Sequence, residues 1–195
     1  MVEKSEITVC ITAVQAARFQ LRDRQHRAEK VAYALELEGE GLSRREARLE
    51  VARVQADWWP PAEELVAASL RRRLAEEDVA GPWEPLTEEE ELGMELSGRW
   101  PGPNIGRLRQ RHYSLPSDLV KHLRTASWRL SEGAFAELDR LGIRRAIGTP
   151  ARLRNERERL VALLCSPAQI VREALDWYPK GASGDRMGPH LMEIH

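Results

Sequence analysis

Apolar residues recur along most of this chain three and four positions apart, and serine, threonine, glycine and proline stand where helices would start and stop. Thr12 is placed to cap a long first helix reaching about Glu38. On it Val14, Ala17, Leu21, Ala28, Val31 and Leu35 form an apolar stripe, broken at Arg24 and Gln25, and Gly39 and Gly41 end it. Ser43 and Glu46 make a capping box for a second helix, which carries Ala47, Val51 and Val54 toward Trp58 and Trp59. Pro60 and Pro61 close that helix and open a third, from Ala62 to about Glu77. This third helix turns Leu65, Ala68 and Leu70 inward and places Arg71, Arg72 and Arg73 near its carboxyl end, where cations suit the helix dipole. Thr87 and Glu90 cap a short acidic helix.

From Gly98 to Gly106, two prolines and three glycines in nine residues mark a linker. The best strand signal follows at Arg107–Leu115, and after it a helix from Pro116 or Ser117 to about Leu130 carries Leu119, Leu123, Ala126 and Leu130 on one face. Ser131 is placed to cap another helix that buries Phe135, Leu138 and Leu141 and closes at Gly142. Thr149-Pro150 and Ser166-Pro167 each set a capping hydroxyl before a proline, predicting two more helices that run to about Leu164 and Trp177. The predicted fold class is therefore mainly α, a multi-helix bundle with at most one short strand near 107–115. The glycines and prolines after Pro179 predict a flexible tail over 179–195.

Charge divides what hydropathy leaves uniform. Residues 1–98 hold 13 basic and 21 acidic side chains, and residues 99–172 hold 15 basic and 6 acidic, inside a chain of formal net charge −1. The predicted organisation is an acidic helical domain at 1–98, a Pro/Gly linker at 99–106 and a basic helical domain at 107–178. The basic segment is suited to phosphate backbones or an acidic protein surface, and the acidic one to dimerisation or regulation. Arginine outnumbers lysine 26 to 4, the usage that high-GC bacterial genomes produce, so a single arginine says little about function. The uncharged run at 7–17 is too short to span a bilayer, the leading residues lack signal-peptide character, and Cys10 and Cys165 are far apart. These features predict a cytoplasmic protein with no membrane contact.

The run Arg107-Leu-Arg-Gln-Arg-His-Tyr-Ser-Leu-Pro116, followed by two short helices ending at Gly142, resembles the ribbon-helix-helix DNA-binding proteins over residues 107–143. In that family two chains pair one strand each into an antiparallel ribbon that enters the major groove. The resemblance implies a homodimer, with Gln110, His112 and Ser114 facing base edges and Ser131 holding a phosphate at a helix start. It leaves Arg109, Arg111 and Tyr113 on the other strand face.

A second route to nucleic acid is a helix-turn-helix across Cys165-Ser166. In it Gln169, Arg172 and Glu173 would face bases, and Arg152, Arg154, Arg157 and Arg159 would meet phosphates. The blander alternative is a helical hairpin whose arginines form an ion-paired, solvated face. Catalytic signatures are missing: there is no glycine-rich phosphate loop, no GxSxG and no HExxH, and both cysteines sit among apolar residues. Neither a metal nor a cofactor is expected. Trp58, Trp59, Trp83 and Trp100 lie at helix ends or turns, where tryptophan covers the end of a core.

The expectation is thus a non-enzymatic DNA-binding or transcription-regulating protein, of the kind carried on bacterial mobile elements. Its contact residues would be Arg107, Arg109, Gln110, Arg111, His112, Ser114, Ser131, Arg152, Arg154 and Arg157. The alternative is a scaffold or interaction module that uses its charge division to bind a partner or itself.

Overall fold

The computed structural model describes residues 3–96, 108–144 and 148–176. Arg107, Trp100, the linker at 99–106 and the tail at 179–195 lie outside them. The elements run β1 (Lys4–Thr12), α1 (Ala13–Gly39), α2 (Arg44–Trp58), α3 (Ala62–Leu74), α4 (Glu88–Leu96), β2 (Leu108–Pro116), α5 (Ser117–Arg140), α6 (Arg154–Ala162) and α7 (Pro167–Asp176), with a single 3-10 turn at Ala151–Leu153 before α6. The molecule is mainly helical, as the apolar spacing predicts. Among the described residues no helix is long and apolar enough to cross a membrane.

Most helix starts use the caps legible in the sequence. Thr12 and Gln15 form a reciprocal capping box on α1, and Ser43 and Glu46 form one on α2. The Thr87 hydroxyl accepts from the Glu90 amide at the head of α4, and Ser166 does the same for Gln169 at the head of α7.

Four expectations are corrected. First, two strands, where one at most was expected, stand among the described residues. β1 pairs antiparallel with β2, from Lys4 opposite Pro116 to Thr12 opposite Leu108. Its sequence alternates Ile7, Val9 and Ile11 with Glu6, Thr8 and Cys10, a period of two in β-branched residues.

Second, α5 runs unbroken through Ser131, where a helix start was expected. Ser131 is fully buried in mid-helix beside its neighbour one turn back, Ser127. The apolar face of α5 continues from Leu119, Leu123 and Ala126 to Phe135 and Leu138, so packing carries the helix past Gly133.

Third, the buried face of α3 is Val66, Ala67, Leu70, Arg73 and Leu74, with Ala68 left exposed. Fourth, the charge boundary is not a boundary in the core. Val9, Ile11 and Ala16 of the acidic segment share one cluster with Val66, Leu70 and Leu74 of α3, Tyr113 and Leu115 of β2, Leu119 and Leu123 of α5, and Ile170, Val171 and Leu175 of α7. A second, smaller cluster joins Phe135 and Leu138 of α5 to Ile143, Leu160, Val161 and Leu164. Trp59, at the end of α2, is buried, and Trp83, in the loop before α4, packs against the main core, the core-covering role expected of both.

Candidate functional site

Alternation along the two strands sorts their side chains into two faces. Ile7, Val9 and Ile11 of β1 and Tyr113 and Leu115 of β2 turn toward the helices, and all but the partly buried Ile7 are buried. Lys4, Glu6, Thr8 and Cys10 of β1 and Gln110, His112 and Ser114 of β2 share the opposite face. On that face Lys4, Glu6, Thr8, Gln110 and His112 are exposed, and Cys10 and Ser114 are half-buried.

Register sets the details of this surface. Glu6 stands opposite Ser114, Thr8 opposite His112 and Cys10 opposite Gln110. The Thr8 hydroxyl lies 2.9 Å from His112 Nδ1, a cross-strand hydrogen bond that fixes the imidazole. Arg109 and Arg111 have the parity of the inner face, opposite Ile11 and Val9, yet Arg109 is exposed and Arg111 half-buried. Tyr113 and Leu115 fill the inward positions that the core requires, and the two arginines emerge at the other end of the strand.

The strands each run directly into a helix, β1 into α1 and β2 into α5. Ser5 and Ser117 bond across this junction through their hydroxyls at 2.8 Å, and the Ser117 amide donates to the Glu3 carbonyl at 3.0 Å. The ribbon is therefore closed within one chain, where the resemblance implied a strand from each of two chains.

The remaining expected contact residues do not join this surface. Ser131 is held inside: its hydroxyl accepts from the Cys165 amide at 2.9 Å, and the Ser127 hydroxyl donates to the Cys165 carbonyl at 2.5 Å. It has no helix start to lend to a phosphate. Arg152, Arg154 and Arg157 lie on the 3-10 turn and α6, which packs on the carboxyl-terminal half of α5 through Leu160 and Val161. Arg157 donates to the Ile143 carbonyl at 3.1 Å, whereas Arg152 and Arg154 are exposed and have no side-chain partner among the described residues.

The helix-turn-helix reading fails on α7, which is a core helix. Arg172 donates to the Cys10 carbonyl at 3.1 Å. Glu173 accepts from Gln169 and from Arg73 of α3. Residues expected to face bases are occupied inside the protein.

Much of the basic segment is neutralised locally. Arg129 bonds Glu90 of the acidic α4, Arg140 bonds Glu137, Arg144 bonds Asp139 and Arg159 bonds Glu156. Arg109, Arg111, Arg124, Arg152 and Arg154 have no ion-pair or hydrogen-bond partner among the described residues.

Burial raises the Cys165 thiol to about 11, away from the thiolate that a nucleophile needs. Among the described residues no three His, Cys, Asp or Glu side chains gather as metal ligands. His112 is on the ribbon and His122 is exposed on α5.

The sequence reading placed Gln110, His112 and Ser114 on one face and missed the β1 half of that face, Glu6, Thr8 and Cys10. The period-two pattern of Ile7, Val9 and Ile11 was the available signal. Comparison with known proteins finds no matching family model, no similar curated protein and no similar solved structure.

Proposed function

We propose that this chain is a non-enzymatic nucleic-acid-binding protein whose contact surface is the outer face of the β1–β2 ribbon. The observation that carries the reading is an antiparallel ribbon with one face sealed against helices and the other polar and, among the described residues, uncovered. A two-stranded ribbon has the width to enter the major groove of duplex DNA. Gln110 is suited to the adenine edge, His112 and Thr8 offer donors and acceptors, and Glu6 is suited to the cytosine amino group. Arg109 and Arg111 flank this row and supply phosphate contacts, which position the protein without reading sequence. The ribbon-helix-helix resemblance supports the choice of face but not a two-chain ribbon or a phosphate site at Ser131.

The test is fluorescence anisotropy of a labelled random-sequence duplex titrated at several salt concentrations. Binding is expected to weaken steeply with salt. The double variant Arg109→Ala, Arg111→Ala should flatten the log–log salt slope by about two units, one for each lost phosphate contact. Gln110→Ala with His112→Ala should leave the slope unchanged and blunt preference among selected sequences. Absence of binding at about 50 mM salt, or an arginine variant with an unaltered slope, overturns the proposal.

A further inference from the structure

The apolar stripe of α1 is on the outside. Val14, Leu21, Val31 and Leu35 are 61%, 58%, 60% and 62% exposed, and Ala17 and Ala28 between them are exposed too. Single exposed leucines such as Leu92 and Leu163 are ordinary on a protein surface. Six apolar residues in one line at spacings of three, four and seven are a coiled-coil seam. The opposite face of the helix is already taken. Leu37 of α1 and Ala47 and Val54 of α2 are buried, Tyr33 packs its ring on Trp58 and Trp59, and the Trp59 indole donates to Glu29 at 2.8 Å.

Charge along the same helix selects the occupant. Residues 13–27 hold Arg18, Arg24 and Arg27 with one aspartate, besides Arg22, which is buried against the Pro60 carbonyl, and residues 28–40 hold four glutamates and one lysine. A second α1 lying parallel would set like charge against like. Lying antiparallel, it sets the basic half of each copy against the acidic half of the other. A two-fold axis at residue 26 also matches the sizes along the seam. Ala17 falls opposite Leu35, Leu21 opposite Val31, and Arg24, which interrupts the stripe, opposite the small Ala28.

We infer that α1 is the interface through which two copies of this chain associate, antiparallel and isologous. This surface is distinct from the outer face of the ribbon, and the inference does not depend on nucleic-acid binding.

Sedimentation equilibrium of the full chain should show a dimer whose dissociation constant rises with salt, because its polar rim is ionic. Leu21→Glu with Val31→Glu should give a monomer with unchanged circular dichroism, since these side chains are largely in water in the single chain. Arg18→Glu should weaken the dimer at least tenfold, as should Glu36→Arg, which the two-fold axis brings to about 3 Å from it along the seam, and mixing the two variants should restore it. Orientation is read from spin labels at Ala13→Cys in a Cys10→Ser, Cys165→Ser background. The antiparallel pair separates the labels by about 40 Å at 1.5 Å per residue, and a parallel pair by roughly 10 Å. A chain that is monomeric at ~100 μM, well above the dissociation constant of a stable interface, overturns the inference. So does a dimer indifferent to the stripe variants, or a short label distance.

Discussion

Ser127 and Ser131 are one turn apart on α5, wholly buried, and together they hold both backbone groups of Cys165. A buried serine hydroxyl needs a partner, and an amide in a tight turn between helices needs an acceptor. The two requirements meet here. Ser131→Ala removes the acceptor and leaves the Cys165 amide unbonded in the core, an expected loss of about 1–3 kcal/mol in urea unfolding. Nucleic-acid affinity at the ribbon should be unchanged by the same substitution. The opposite pattern, lost affinity with intact stability, would restore the phosphate role that a capping serine suggests. Serine before a helical run is ambiguous because its hydroxyl serves an N-cap and an interhelical bond equally well, and sequence carries no record of which amide lies nearby. Gln15 illustrates the same limit. Its capping box was readable only in part from Thr12, while its amide bonds to the Arg172 carbonyl and to Asp176, at 2.9 Å each, depend on a helix more than 150 positions away.

Elements were more legible than their faces. Local caps name where α1, α2, α4 and α7 begin, and Gly142, at a φ of 65°, stands just past the end of α5, where the separate helix expected from Ser131 was to close. The stripe on α1 correctly implied a helix, but periodicity cannot say whether a stripe meets the chain's own core, and here it does not. β1 escaped because its alternation precedes a strong helical cap and its partner, β2, lies about a hundred residues on. The acidic helix α4 gives a prediction at this scale. Glu90 receives two bonds from Arg129, at 2.6 and 3.0 Å, and one from the Trp128 indole at 3.3 Å. The bonds from Arg129, with those from the Thr87 backbone, hold its carboxyl at about 2, below the ordinary 4.5. A lowered carboxylate pKa stabilises the docked state above the unfolded value, and that contribution disappears as pH falls through the folded value. Docking of α4 on α5 should accordingly weaken between pH 4.5 and about 2. Trp128 emission should report it, with Trp128→Phe identifying its share of the signal and Glu90→Gln abolishing the titration.

At the scale of the whole molecule, the charge division and the fold run across each other. The acidic segment supplies β1 and α1 to α4, and the basic segment β2 and α5 to α7, to one body with a shared core, so the opposite charges meet inside one structure. Arg73 of α3 makes the point in reverse. It is 9% exposed, bonds Glu76 and Asp78 beside it, and reaches Glu173 of α7 at 2.8 Å, a cation from the acidic segment paired to an anion beyond the basic one. Sequence composition registers the segregation of charge but not its cancellation between the segments, because the pairs that join them, Arg129 with Glu90 and Arg73 with Glu173, are long-range. The interleaving has a consequence for the isolated parts. A chain cut between residues 98 and 99 yields one piece whose β1 lacks a partner and whose α3 exposes Val66, Ala67, Leu70 and Leu74, and another whose β2 and α7 expose Tyr113, Leu115, Ile170 and Leu175. An unpaired strand and an open apolar face do not support an independent fold. Residues 1–98 and 99–195 expressed separately should each lack a cooperative thermal transition, and mixing them should restore it together with native-like amide dispersion. If residues 99–195 instead fold alone and bind DNA, the basic segment is a domain in its own right and the shared core is dispensable.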